Sequence, residues 1–127
     1  MKKTVWVLVV TVSLVLLLGL VCSFVSRNTV DGMKKKTVRI ANFVREGKYD
    51  GALEETDRLL DDWEKRSDLL QLWTVHEDVD EVTVLLGTLK VSLQEREKLH
   101  VLLACAELDQ AIDHLYHRDA LKLQNFF

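Results

Sequence analysis

Asp50–Trp73 reads DGALEETDRLLDDWEKRSDLLQLW. Leu53, Thr56, Leu60, Trp63, Ser67, Leu70 and Trp73 follow one another by steps of three and four, which places them on one face of a helix. Glu54-Arg58 and Asp61-Lys65 stand four apart with the acid first, the order that supports a helix. Asp50 is expected to cap its start. A helix of this length with one apolar face needs a neighbour to cover that face.

Moving toward the C-terminus, the same reading repeats. Thr74-Val75-His76-Glu77 has the spacing of a capping box, and Val79, Val82, Leu86, Leu89 and Leu93 form the stripe of a third helix. Ser92–Glu95 repeats the Ser-x-x-Glu pattern and is expected to mark the next turn. A last long helix then carries Val101, Cys105, Leu108, Ile112 and Leu115, and is expected to stop around His117–Asp119. That would leave Leu121, Leu123, Phe126 and Phe127 as an apolar tail.

Toward the N-terminus, Met33–Glu46 forms a shorter amphipathic stretch with Val38 and Ala41, and Ile40 or Val44, on its apolar side. Gly47 closes it in the position of a helix C-cap. The 127 residues contain no proline, where about six would be expected from average usage. The fold class is therefore all-α, an antiparallel bundle or set of hairpins packed through three-four stripes.

Ahead of this domain, Val5 to Val25 carries no charge, with Lys2 and Lys3 before it and Arg27 after it. As a helix it would be about 31 Å long, enough for a hydrocarbon core of about 30 Å. Its Thr11, Ser13 and Ser23 can bond back to carbonyls one turn earlier. A cleaved signal peptide normally has an apolar run of about 7–15 residues, shorter than this one. A lipoprotein would have a small residue before Cys22, where this chain has Val21. The expectation is an uncleaved anchor over residues 1–26 and a single domain over 27–127. Flanking positives favour the C-terminal side as cytoplasmic. The two-lysine start, like a secretory signal left uncut, favours an outside domain, and the latter is adopted.

All 20 acidic residues and all basic residues except Lys2 and Lys3 lie after residue 26, so that portion carries −5. Such a balance excludes a general nucleic-acid binder. Two cysteines, Cys22 and Cys105, exclude a disulfide-dense scaffold. Neither a Gly-rich phosphate loop, a Gly-x-Ser-x-Gly nor a His-Glu-x-x-His occurs, and carboxylates such as Asp61-Asp62 and Asp80-Glu81 suit helix starts and solvent faces. No enzymatic activity and no cofactor are expected. His114 and His117, three apart on the last helix, are the candidate metal pair, with His76 or His100 as a third ligand. The plainer reading, a favourable histidine–dipole contact at a helix end, is preferred. His76 is expected to be half-buried and Cys105 to be a small core residue. Lys34-Lys35-Lys36 with Arg39 is read as a solvated helix start and topology signal, with attraction to anionic headgroups as the alternative.

Gly47-Lys48-Tyr49-Asp50, then Trp63, Trp73, His76-Glu77 and Val79-Asp80, and the ending Leu121-Lys122-Leu123-Gln124-Asn125-Phe126 together resemble the domain-of-unknown-function family 4363 over nearly the whole chain. That resemblance implies a small bacterial protein of spore-forming Firmicutes, with an N-terminal membrane segment, an extracytoplasmic helical domain and a membrane partner. Tyr49 stands where the family usually has tryptophan, and Val91-Ser92-Leu93-Gln94-Glu95 replaces its usual Gly- or Asp-containing turn.

The resulting expectation is a single-pass, membrane-anchored helical interaction or scaffold protein. Trp63, Trp73, His76, Phe126 and Phe127 are its candidate contact residues. The bilayer around residues 5–25, a protein partner and a second copy of the chain are its expected associates. The alternative is a pH, metal or ligand sensor signalling through the anchor.

Overall fold

A computed structural model describes the backbone of residues 1–72 and 76–126 and the side chains of 1–72 and 76–115. Four helices follow one another: α1 Lys2–Arg45, α2 Tyr49–Leu70, α3 His76–Gln94 and α4 Lys98–Phe126. Each packs against its neighbours in the order α1–α2–α3–α4 and α4 closes back on α1. The result is an antiparallel four-helix bundle, as the stripes require.

The core is that of the stripes. Val79, Val82, Leu86, Leu89 and Leu93 of α3 are all buried, and so are Val101, Cys105, Leu108, Ile112 and Leu115 of α4. In α2 the buried set is Ala52, Glu55, Thr56, Leu59, Trp63 and Leu70, with Leu53 and Leu60 at its flanks. The buried face is centred about one residue earlier than the stripe, with Leu59 inside and Leu60 at its edge. In α1, Ile40, Ala41 and Val44 are inside, whereas Val38 is 56% exposed, contrary to expectation. Complete burial of a Leu or Ile side chain contributes about 1.5–3 kcal/mol.

Two turns share one design. At the end of α1 the N–H of Gly47 donates to Val44 O and that of Lys48 to Phe43 O, with Gly47 at φ 74°. At the end of α3 the N–H of Arg96 donates to Leu93 O and that of Glu97 to Ser92 O, with Arg96 at φ 53°. Both are Schellman closures, which satisfy the last carbonyls of a helix by a left-handed residue. The two turns lie at the same end of the bundle, where the Arg96 guanidinium rests 5.6 Å from the centre of the Tyr49 ring.

Three expected boundaries shift. The turn before α4 falls at 95–97, because Leu93 is a core position that carries α3 through Gln94. Ser92 is accordingly buried inside α3 and caps nothing. Lys48, without a side-chain capping bond, occupies the N-cap of α2, and Asp50 lies in its first turn, where a carboxylate still favours the dipole. And α4 does not stop near His117 but runs to Phe126, through a segment with neither glycine nor proline.

The largest departure concerns α1. The apolar stretch and the first amphipathic stretch are one uninterrupted helix of 44 residues. Its residues ahead of Ser26 stand out from the bundle with nearly all of their apolar side chains exposed, and Thr11 Oγ1 donates to Val7 O at 2.8 Å as expected. Burial begins at Ser26, one residue beyond Val25.

Candidate functional site

The junction between the projecting helix and the bundle is where this fold departs from an ordinary bundle. Along α1, Ser26, Thr29, Val30, Met33 and Thr37 face inward, so its inner face near the junction is more polar than the rest of the core. A helix tolerates this because hydroxyls bond back to the preceding turn. Thr29 Oγ1 donates to Val25 O and Thr37 Oγ1 to Met33 O, both at 2.8 Å. Thr29 also accepts from Arg66 Nη1 of α2 at 3.0 Å, which ties the foot of α1 to α2.

Above this contact the basic run of α1 is spent on its neighbours. Lys34 pairs with Asp113 of α4 and lies 4.0 Å from Asp109. Lys36 pairs with Asp62 of α2, and Arg39 Nη1 lies 3.7 Å from Glu55 Oε1. The hydrogen bond that Lys34 donates to Asp113 is the main cause that raises the Lys34 pKa above its ordinary value, and the one that Lys36 donates to Asp62 lowers that of Asp62. This revises the reading of Lys34–Lys36 as a solvated start: two of the three lysines join helices, and Lys35 remains exposed. Each pair, being part-exposed, contributes about 0–1 kcal/mol. Their consequence is register, since they hold α1 at one height and rotation against α2 and α4. Glu55 is the least expected member, a carboxylate 4% exposed and flanked by Arg39 and Arg58. Nothing in its spacing separates it from the solvent-facing acids.

The candidate residues disperse. Trp63 is 2% exposed and belongs to the core; its Nε1–H donates to Thr83 Oγ1 at 2.8 Å, and Thr83 donates onward to Val79 O. It offers no contact surface. His76 is exposed at the first position of α3, not half-buried. His114 is exposed on α4, and His100 is exposed and pairs with Glu97. Among the described residues no group of three His, Cys, Asp or Glu side chains is placed to hold a metal. Trp73 and Phe127, and the side chains of His117 and Phe126, lie outside the described residues.

Cys105 is buried between α1 and α4, and burial pushes its thiol up to about 11, against a smaller opposing influence of Arg45. A thiol so far from ionisation is a poor nucleophile. It floors a shallow groove of about 260 Å³ with Thr37, Val38, Ala41, Leu102 and Ala106, flanked by Arg45 and Asp109. Val38 on one wall is exposed, and so is Leu103 on the outer side of α4. The sequence stripes name Val38, Ala41 and Cys105 as inward positions and give no sign that Val38 stands on an outer groove.

The sequence matches the model of a family described as Domain of unknown function (DUF4363) over residues 22–126. No curated protein and no solved structure matches it. The matched segment takes in the whole bundle and begins at the foot of the apolar helix.

Proposed function

Starting from the chain's membership of the DUF4363 family, we propose that the protein is a single-pass membrane-anchored accessory module that holds a protein partner beside the bilayer. One observation carries this reading: α1 runs without a break from a helix apolar enough to cross a membrane into the core of the bundle. Such a helix fixes the orientation of the bundle relative to the membrane, which a flexible tether would not do. A scaffold benefits from that fixity because it presents one face at one height. The groove between α1 and α4, with Val38 on its wall, is the face assigned to the partner. That partner is itself expected in the membrane, and the bundle is placed on the extracytoplasmic side.

The assay is in vivo photo-crosslinking from Val38, replaced by a photoreactive amino acid in the full-length protein, on membranes washed with alkaline carbonate. Retention in the washed pellet and one stoichiometric crosslink to a membrane protein are expected. Release by carbonate would refute the anchor. A crosslink to a second copy, or none, would refute the accessory role and leave a self-assembling protein. Periplasmic and cytoplasmic reporter fusions at the C-terminus settle the side.

A further inference from the structure

We propose that the end of the bundle nearest the apolar helix, where α2 ends with Leu69 and Leu72 exposed, sits in the membrane interface, so that the bundle stands on the bilayer by a second foot. The occupant of this surface is lipid, at the level where hydrocarbon meets headgroups. The inference rests on the anchoring of α1 proposed above and adds a contact that anchoring alone does not require.

The argument is one of height. Helices α1 and α2 run antiparallel, and their contacts fix the register: Phe43 lies against Gly51, Arg39 against Glu55 and Arg66 against Thr29. Continuing from the last pair, Asp68 stands level with Arg27, and Leu72 stands level with Ser23 and Phe24. Arg27 is the last charge of α1 before the apolar span, and Asp68 is the last charge of α2. Charges therefore cease at the same height on both helices. From Leu69 to Val75 the sequence Leu-Leu-Gln-Leu-Trp-Thr-Val carries none.

At this height the apolar side chains point outward. Leu72 is 77% exposed, Leu69 45% and Phe24 70%. Single exposed apolar residues are common and need no explanation. These three, on two helices, coincide with the level at which a spanning helix would leave the hydrocarbon. Helix α4 comes down to the same place. Lys34 lies between Asp109 and Asp113, so the backbone of α4, helical to Phe126, passes the level of Arg27 some eight residues before its end. Beyond Asp119 the sequence holds one charge, Lys122, and ends in two phenylalanines. Aromatic and aliphatic residues with scattered polar ones are the composition that membrane interfaces favour.

The test measures depth. The full-length protein, with Cys22→Ser to leave only the buried Cys105 besides the new site, receives one cysteine at Val12, Leu72 or Val38. Each variant is labelled with an environment-sensitive fluorophore and reconstituted into phosphatidylcholine vesicles containing brominated lipid. Circular dichroism melts confirm that each labelled variant stays folded. Quenching at residue 72 is expected to be at least half that at residue 12 and at least threefold that at residue 38, which lies halfway up the bundle. Strong quenching at residue 12 with residue 72 no more quenched than residue 38 overturns the second foot and leaves the anchor standing. Absence of quenching at residue 12 overturns the anchor, and the present inference with it.

Discussion

If α1 is one rigid element, a proline at its junction has a calculable effect. Asn28 is exposed and lies between the buried Ser26 and Thr29. Its side chain is therefore dispensable, and substitutions there report on the backbone. In a helix interior, proline removes the bond to the carbonyl four residues earlier, here that of Phe24, and its ring collides with the same group. The cost relative to alanine is about 3 kcal/mol, and for glycine about 1 kcal/mol. For a domain near 100 residues each kcal/mol lowers the melting temperature by about 4–8 °C. Asn28→Pro should thus melt about 12–24 °C below Asn28→Ala in detergent, with Asn28→Gly about 4–8 °C below. The readout is helical ellipticity during heating of the full-length protein. A proline in the first turn of a helix loses nothing, because the N–H it lacks has no partner there. If the bundle's helix began afresh near residue 28, all three variants would melt within about 2 °C of one another. That result would refute the continuous helix, and with it the fixed orientation on which the proposed role depends. Lys35→Pro, deeper within the bundle portion of α1, incurs the full penalty in either case and serves as the control.

Other expectations concern the core and the titrating groups. Trp63→Phe removes the donor to Thr83 Oγ1 and part of a buried ring, and should lower stability by about 2 kcal/mol in urea titrations. Gly87 lies inside α3 with open space where a Cβ would stand, so Gly87→Ala should raise stability by about 1 kcal/mol, seen as a higher urea midpoint. Native Cys105 should resist iodoacetamide at pH 8 and react once urea unfolds the bundle. Because its pKa is about 11 when folded against 9.0 ordinarily, unfolding releases its proton first. Stability should therefore fall as pH rises from 9 towards 11, and less so in Cys105→Ala. Lys34, also raised, adds to the same alkaline loss above 10.5. On the acid side Asp62 is lowered below 3.8, so the contribution of its pair with Lys36 is intact above that value and lost below it. Melts of Asp62→Asn should show a shallower acid decline than the wild type below pH 4.

The interior of this bundle was readable along α3 and α4. Every stripe position named for α3 and α4, from Val79 to Leu93 and from Val101 to Leu115, is buried. The reading slipped in α2, whose buried face is centred about one residue earlier than the stripe and takes in Ala52, Glu55 and Leu59. Glu55 was illegible for a physical reason. A carboxylate is taken inside by guanidiniums that reach it from Arg39 on another helix and Arg58 on its own, and no spacing within α2 records the first of these. Lys34 and Lys36 were misread likewise, since their partners stand on α4 and α2. Trp63 was rightly singled out, but its burial and its bond to Thr83 spend it on the core.

The junction itself teaches something different. Composition changes abruptly at Ser26, from a charge-free run to one rich in Lys, Arg and Asp, and such a change invites a boundary between anchor and domain. Hydropathy records the solvent around a helix, however, and not whether the backbone continues. Continuity depends on where the backbone is made to break, and between Val25 and Arg45 there is no proline and the sole glycine is Gly32, a residue a helix carries at a cost of about 1 kcal/mol. Thr29 and Thr37 meet the demands of both environments by bonding back to carbonyls of their own helix. In the proposed anchoring the same backbone serves lipid and bundle, and where it changes solvent the charges on α2 and α4 should change with it. That the last charge of α2 falls at the height of Arg27 is the pattern expected if the membrane surface, and not the end of a domain, sets the limit.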